Sequence, residues 1–372
     1  MRLVSIGLVD FRNYHRVTFE PAPGLTAIVG SNGEGKTNLI EAIGCLATLS
    51  SFRGSPAEAL VRSGSETAIV RAMIDQDLHV GAEGHHRIVE IEAELRPSGR
   101  DRVLVNRQVL KRTRDLLGSV RVTIFSPEDL RLVKAGPGER RAYLDGVLVS
   151  LTPSHDALMS DLERVLRQRN TLLKQAGGRL SPEIEATLDV WDAKLCVLGE
   201  KVAHVREALV ERLNPLVSET YDQVADGSTV VNLRYESPWR EIGLARALVE
   251  ARKDDLRRGV TTIGPHRDEM VILLDDHPAR THGSQGEQRS LALALRLASH
   301  HLVHQETRTT PILLLDDVFS ELDPNRSAAL LAHLPPGQAL LTTTEDLPSG
   351  ARPERVINVR AGQILNPIEG GR

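Results

Sequence analysis

Eight residues near the N-terminus constrain the fold of this chain more than any other feature. They are Gly30-Ser31-Asn32-Gly33-Glu34-Gly35-Lys36-Thr37, and they match the pattern G-x-x-x-x-G-K-T in full. A short apolar run, 25–29, precedes them, and a helical pattern of apolar residues follows over 38–49. Strand, glycine-rich loop and helix in this order are typical of a phosphate site in an α/β sheet. A chance match in an ordinary glycine-rich turn would lack both neighbours.

The chemistry of such a loop requires this spacing. Glycines let backbone N–H groups face the phosphates, and the following helix directs its positive end at the anion. The Lys36 ammonium then reaches the β- and γ-phosphate oxygens, and the Thr37 hydroxyl ligates Mg²⁺. The residues predicted to contact the nucleotide are Gly30, Ser31, Asn32, Gly33, Glu34, Gly35, Lys36, Thr37 and Asn38.

A second apolar run ends in two carboxylates. Residues 312–315 read as a buried strand, and Asp316 and Asp317 follow directly. In phosphate-loop proteins an acid here supports the Mg²⁺ shell, so we assign Asp316 to the metal and Asp317 to the attacking water. A single Asp after a strand is often only a helix N-cap. Two acids followed by Ser320-Glu321-Leu322-Asp323 favour an active site.

A third segment opens a helix between these two halves. Ser284-Gln285-Gly286-Glu287-Gln288-Arg289 resembles the signature motif of ABC-type ATPases, although a capped helix start would read similarly. The resemblance implies that Ser284 and Gly286 contact the γ-phosphate of ATP held by the opposite subunit. It therefore implies an ATP-dependent homodimer whose catalytic residues are Lys36, Asp317 and Ser284.

The spacing of these motifs predicts a large insertion. About 280 residues separate Lys36 from Asp316, which resembles the SMC and Rad50 branch. Alternating residues between 67 and 109 predict an antiparallel sheet, and 154–216 predict two helices broken at Gly177-Gly178. We expect three segments: a head part with the phosphate loop (1–128), a helical lobe (129–258) and a second head part (259–372).

Bulk properties exclude several classes of protein. No apolar stretch is long enough for a membrane span, and the N-terminus lacks a signal-peptide pattern. Cys45 and Cys196 lie among apolar residues and read as buried thiols in a reducing compartment, so we expect a cytoplasmic protein. A net charge of −4 does not exclude nucleic acid, because binding depends on where the charges lie.

Several further segments resemble the RecF family of bacterial recombination mediators, and together they span nearly the whole chain. They are Phe11-Arg12-Asn13-Tyr14, residues 35–43, residues 127–145 with Pro127-Glu128-Asp129-Leu130, Gly264-Pro265-His266-Arg267-Asp268, and the run from Gly283 to Asp323.

The resemblance implies a fold and a role. The fold would be an α/β P-loop ABC-type ATPase head, Rad50-like, with an added antiparallel β-sheet and an inserted helical lobe but no long coiled coil. Members of this family bind ATP, dimerise head to head and bind duplex DNA near single-stranded gaps. They work with RecR and RecO to help load RecA, and slow hydrolysis resets the clamp.

The sequence departs from ABC transporters at three places. Asp317 stands where transporters usually have Glu, and its shorter arm predicts slow hydrolysis. No switch histidine follows the run 339–343, where Thr344 is a weak substitute, and no Q-loop glutamine lies near Ser126-Pro127. The alternatives to a repair ATPase are a transporter's nucleotide-binding subunit or another ATP-switched clamp.

Basic residues suggest where DNA would bind. Seven cations fall between Arg96 and Arg114 on a predicted hairpin, where they would contact phosphates or simply form a solvated face. Arg53 follows the phosphate-loop helix at a place where SMC-like ATPases couple DNA to hydrolysis. The candidate DNA contacts are Arg53, Arg102, Arg107, Lys111 and Arg112, with the pairs 140–141 and 257–258 as weaker ones.

Three histidines share one predicted helix. His300, His301 and His304 include an i, i+4 pair that could hold a metal, but a third ligand pattern is missing. We therefore expect a polar helix face here.

Overall fold

The structure, a computed structural model, describes residues 1–78, 85–225, 229–344 and 347–365. The strands are β1 Arg2–Phe11, β2 Tyr14–Phe19, β3 Leu25–Val29, β4 Ala68–Leu78, β5 His85–Leu95, β6 Arg102–Val105, β7 Gln108–Val109, β8 Val122–Phe125, β9 Val231–Glu236, β10 Glu269–Leu274, β11 His277–Pro278, β12 Ile312–Asp316, β13 Ala339–Thr343, β14 Arg355–Arg360 and β15 Gln363–Leu365. The α-helices are α1 Lys36–Thr48, α2 Ala57–Leu60, α3 Leu130–Lys134, α4 Pro137–Leu151, α5 His155–Ala176, α6 Pro182–Val224, α7 Leu244–Arg258, α8 Ala279–His282, α9 Gln285–Thr307 and α10 Pro324–Ala332.

Spatial proximity divides the chain into two compact units. Unit 1 comprises Met1–Leu130, Glu219–Ser228 and Gln285–Arg372. Unit 2 comprises Arg131–Ser218 and Thr229–Ser284. Both phosphate-site motifs, the glycine-rich loop and the Asp-Asp strand, therefore lie in unit 1.

The compact units and the domains expected from sequence differ in one region. The sequence groups residues 259–284 with the second head part, whereas spatial proximity groups them with unit 2. The reason is strand pairing, since β10 is antiparallel to β9 with Met270 opposite Tyr235. The domain boundaries at 129 and 259 stay a prediction.

A mainly parallel sheet in unit 1 carries the phosphate-site motifs. Its order is β15-β14-β3-β13-β12-β8, and only β15 runs antiparallel to its neighbour. Strand β13 lies between β3, which leads into the phosphate loop, and β12, which ends at Asp316. Because parallel strands end at the same edge, the loop and the acids are brought together although they are distant in sequence.

An antiparallel sheet of order β2-β1-β4-β5-β6-β7 forms the other layer of unit 1. Strand β5 alternates as the sequence predicts: Val89 and Ile91 are buried, whereas Glu90 and Glu92 are partly exposed. Helix α1 contributes Leu39, Ile43 and other apolar residues to a core shared with strands of both sheets. The helix that starts at the phosphate loop is thus buried on most of its surface.

Unit 2 confirms the predicted helical hairpin. Helix α5 ends before Gly177, which has φ 56°, and α6 begins at Pro182 with the Ser181 hydroxyl accepting from the N–H of Ile184 at 3.3 Å. Leu162 of α5, Leu195 of α6 and other apolar residues share one core with α7. The mixed α/β fold with an added antiparallel sheet and a helical lobe is confirmed. Among the described residues, no helix combines the length and apolar content that a membrane span requires.

The histidines of α9 differ from the expected polar face. His300 is buried, and its Nδ1 lies 3.0 Å from the Thr123 hydroxyl. Burial lowers the pKa of His300 to about 3, so the ring is neutral at physiological pH. His301 is half-buried and only His304 is exposed, so the polar-face interpretation is wrong for His300. In the parts of the chain described here, no cluster of three or more His, Cys, Asp or Glu is placed to hold a metal.

A buried arginine ties three segments of unit 2 together. Arg169 is fully buried, and its guanidinium donates to Asp192 at 2.6 Å, to Asp255 at 2.7 Å and to the Thr261 hydroxyl at 3.0 Å. Two carboxylates in a dry core are tolerated only while a cation and hydrogen bonds compensate them. Helices α5, α6 and α7 therefore meet around this one charge.

Removing this arginine tests that dependence. We expect Arg169→Leu to lower the free energy of unfolding by about 3–5 kcal/mol, because it strands two buried carboxylates. Both tryptophans, Trp191 and Trp239, lie in unit 2, so their fluorescence during urea unfolding reports on this unit. The control is Arg167→Leu, which breaks only an exposed i, i+4 pair with Glu163 and should cost at most about 1 kcal/mol. Equal costs for the two variants would contradict this account.

Candidate active site

The phosphate loop can form only with glycine at two of its positions. Gly35 has φ 114°, and a Cβ there would lie 2.6 Å from the Asn13 side chain. A Cβ on Gly30 would lie 2.4 Å from the backbone oxygen of Val359 on β14. The loop is therefore packed directly against its neighbours, and no larger residue fits at either end.

The Lys36 side chain folds back along the inside of this loop. It is buried, and its ammonium donates to the carbonyl oxygens of Gly30 at 2.6 Å and Ser31 at 2.9 Å. Burial lowers the pKa of Lys36, while the nearby charges of Asp317, Asp316 and Glu34 oppose that shift. The loop thus concentrates one positive charge among backbone groups, which suits an anionic ligand.

Three side chains from three different segments meet at Asp316. Its Oδ1 accepts hydrogen bonds from the Thr37 hydroxyl at 2.8 Å and from the Thr342 hydroxyl at 2.8 Å. Burial raises the pKa of the Asp316 carboxyl, and these two hydrogen bonds oppose the shift. The predicted pair of Thr37 and Asp316 is thus in direct contact.

These groups fit a magnesium ion. Mg²⁺ prefers hard oxygen ligands and is usually held by one or two protein oxygens together with substrate phosphates. The hydroxyl of Thr37 and the carboxylate of Asp316 are such oxygens, 2.8 Å apart at the mouth of the loop. An ion here would also relieve the cost of a buried carboxylate.

Asp317 sits beside this cluster in an unusual backbone conformation. Its φ is 49°, in the left-handed region, and its N–H donates to the Thr342 hydroxyl at 2.9 Å. Thr342 therefore bonds to both acidic positions at once, to the carboxylate of Asp316 and the backbone of Asp317. The sequence alone does not single out Thr342. Its role follows from strand register, since Thr342 pairs with Asp316 across β13 and β12.

The switch and Q-loop positions are occupied by other residues. Thr344, the weak candidate for the histidine, is half-buried just beyond β13. After β8, Ser126 and Asp129 cap one another's backbone, with the Ser126 N–H donating to the Asp129 carboxylate at 2.9 Å. Asp129 also pairs with Arg296 of α9 at 2.7 Å. A capped turn anchored to α9 thus follows the strand next to β12.

The signature segment lies where α9 begins. Ser284 is exposed, and Gly286 follows in the first turn of the helix. An added Cβ on Gly286 would lie 2.8 Å from the guanidinium of Arg326, which also donates to the Ser290 hydroxyl at 3.0 Å. Arg326 pairs with Asp323 as well, so α9 is linked to the loop that follows the two acids. Sequence reasoning missed Arg326.

The predicted DNA-binding hairpin is less basic than its sequence suggests. Arg107 lies 3.4 Å from Glu90, and Arg112 lies 3.2 Å from Asp115. Across the described part of the chain, no hydrogen bond or ion pair engages Arg102, which is exposed on β6. The same holds, within those described ranges, for exposed Lys111.

Arg53 lies next to the phosphate-loop helix, as expected. Its guanidinium is 3.4 Å from the Asn38 side-chain oxygen and 3.9 Å from the carboxylate of buried Glu41. Its side chain is 44% exposed, so it is accessible from solvent.

Comparisons with known proteins agree with this geometry. A family model described as the RecF/RecN/SMC N terminal domain matches residues 2–344. The DNA replication and repair protein RecF of Streptomyces avermitilis is 44% identical over 94% of this chain and 95% of its own length. The protein of the same name from Frankia alni is 41% identical over 98% and 99%.

Solved structures agree as well. One described as the recombination mediator protein RecF with ATPrS in the RecFOR pathway has a TM-score of 0.88 and 30% identity, covering 99% of this chain and 98% of that one. An SMC head bound to the C-winged helix domain of ScpA has a TM-score of 0.59 at 17% identity, over 99% and 98% of the two chains, and supports the ABC-type head fold alone. Together these matches show that the chain belongs to the RecF family.

Proposed function

We propose that this protein binds ATP and Mg²⁺ at the phosphate loop and hydrolyses ATP slowly in a site that a second copy completes. The observation that carries the proposal is the contact of Thr37 with Asp316 beside the buried ammonium of Lys36. A hydroxyl, a carboxylate and a lysine at the end of parallel strands form a site for a metal-bound triphosphate. A related structure described as RecF-ATP, with a TM-score of 0.88, supports ATP as the nucleotide.

Each residue would have a separate task. Lys36 neutralises the β- and γ-phosphate oxygens, and Thr37 and Asp316 hold the Mg²⁺ that bridges them. Asp317 orients the water that attacks the γ-phosphorus, and ADP leaves as the bond from that phosphorus to the β-phosphate oxygen breaks. A carboxylate on a short arm reaches this water poorly, so hydrolysis is slow and binding dominates.

The second copy would supply the signature segment. Ser284 is exposed at the start of α9, where backbone N–H groups have no partner within the helix. Such an end stabilises a phosphate presented from outside. Because Arg326 links α9 to the loop after Asp317, contact across the dimer reaches the hydrolytic segment of the same subunit.

The biological setting follows from the relatives. They are named as DNA replication and repair proteins, and one solved structure is described within the RecFOR pathway. We infer a cytoplasmic role in recombinational repair, in which the ATP-bound dimer holds duplex or gapped DNA and RecR and RecO help load RecA. Full-length similarity to repair proteins disfavours the alternative of a transporter subunit.

Exposed cations would contact the DNA backbone. Arg102 and Lys111 have no compensating carboxylate within the described ranges, and Arg53 is accessible. Arg107 and Arg112 are already paired, so their contribution should be smaller. Without base-edge readout, such contacts would be largely independent of sequence.

Two variants test the composite site. Asp317→Asn should still bind ATP and should accumulate as a dimer in ATP and Mg²⁺, because it closes but turns over too slowly to reopen. Ser284→Arg should bind ATP with unchanged affinity yet remain a monomer, because the bulky cation blocks the trans contact. Light scattering measures the mass, and Lys36→Met, which should lose tight ATP binding, is the control. An ATP-dependent dimer of Ser284→Arg would contradict the composite site.

The DNA contacts can be tested by charge reversal. Arg102→Glu with Lys111→Glu should weaken duplex binding by roughly tenfold or more and reduce its salt dependence by about one unit of slope per lost contact. The control, Arg164→Glu with Arg167→Glu, makes the same charge change on exposed positions of α5. If both double variants lose affinity equally, only net charge matters and the hairpin is not the contact surface.

A further inference from the structure

Two successive residues of the turn between β1 and β2 hold the phosphate loop through its backbone. The side-chain amide of Asn13 donates to the carbonyl oxygen of Glu34 at 2.9 Å. The hydroxyl of buried Tyr14 donates to the carbonyl oxygen of Gly35 at 3.0 Å. Neither side chain belongs to the nucleotide motifs described above.

These two carbonyls control the direction of two amides. A trans peptide unit is planar, so its C=O and N–H point in opposite directions. The Glu34 carbonyl shares its peptide unit with the N–H of Gly35, and the Gly35 carbonyl shares one with the N–H of Lys36. Holding both oxygens toward the turn therefore directs both N–H groups to the other side of the loop, where phosphates bind.

The turn itself is firmly anchored. Arg12 donates to both carboxylate oxygens of Glu41, at 2.7 and 2.6 Å, and Glu41 on α1 is fully buried. Asn13 also accepts from the Asn38 side chain at 2.8 Å, so the turn contacts α1 at two places. The loop is also held from the β14–β15 turn, where the N–H of Gly362 donates to the Glu34 oxygen at 3.0 Å.

The absence of a side chain at Gly35 completes the arrangement. A Cβ there would lie 2.6 Å from the Asn13 amide nitrogen and 3.0 Å from the Tyr14 hydroxyl. Burial raises the pKa of Tyr14, so its hydroxyl remains a donor across the physiological range. The loop and the turn are therefore matched to each other at these positions.

We propose that Asn13 and Tyr14 are positioning residues for nucleotide binding: they orient the N–H groups of Gly35 and Lys36 toward the phosphates without touching the ligand. This inference rests on the proposed ATP site. Without these donors the two peptide units could rotate, and the loop would have to be ordered again each time a nucleotide binds. A merely structural role would change stability and leave affinity alone.

The test uses variants that remove only the donors, Tyr14→Phe, Asn13→Ala and their combination. Each single change should weaken binding of ATP and ADP alike by roughly threefold to tenfold, the range of one hydrogen bond. Both nucleotides should respond because these N–H groups serve phosphates that ADP retains. KM should rise while kcat changes little, since Asp317 is untouched. Fluorescent-nucleotide titration and steady-state hydrolysis measure these effects.

The matched control is Tyr235→Phe. It removes a buried-side phenol hydrogen bond, 2.7 Å to Asp268 in unit 2, and should lower thermal stability without changing ATP affinity. If Asn13→Ala does not fold, Tyr14→Phe alone decides, because it keeps the buried ring. ATP affinity in Tyr14→Phe equal to that of the wild type would overturn the inference while the ATP site stands. A wild-type protein that does not bind ATP would overturn both.

Discussion

The hydrogen bonds that converge on Asp316 are the interaction on which the rest of the site depends. They join the first residues of α1, the end of β12 and the end of β13 at one carboxylate oxygen. None of these segments can move without disturbing a buried charge whose solvation they provide. The same threonine, Thr342, also fixes the backbone of Asp317. Sheet order therefore makes the metal-binding and water-orienting positions a single unit.

The layers around this point extend the same principle. The phosphate loop is held by the antiparallel sheet through Asn13 and Tyr14, and α9 is held to the loop after the acids through Arg326. A change at the nucleotide can thus be transmitted through hydrogen-bonded contacts rather than through one flexible connection. This suits a protein in which ATP binding, more than its hydrolysis, sets the assembly state.

Local patterns carried much of this structure. The strand-loop-helix context of Lys36, the alternation in β5 and the helix start at Pro182 could all be predicted, because each depends on neighbours in sequence. The roles of Thr342 and Arg326 could not, since they arise from strand register and from packing between distant helices. The basic hairpin shows the opposite error: its sequence suggests free cations, but Arg107 and Arg112 meet carboxylates only in the fold. His300 likewise looked polar but is buried against β8.

The central claim is that two copies share each hydrolytic site, and mixing two inactive variants tests it most directly. Lys36→Met keeps an intact signature segment, and Ser284→Arg keeps an intact phosphate loop. In a mixed dimer, one of the two sites combines the intact halves. The account predicts that ATP hydrolysis in the mixture exceeds the sum of the separate variants and depends on their ratio, with a maximum near equal amounts. Hydrolysis equal to that sum, from folded variants shown to associate, would contradict the shared site.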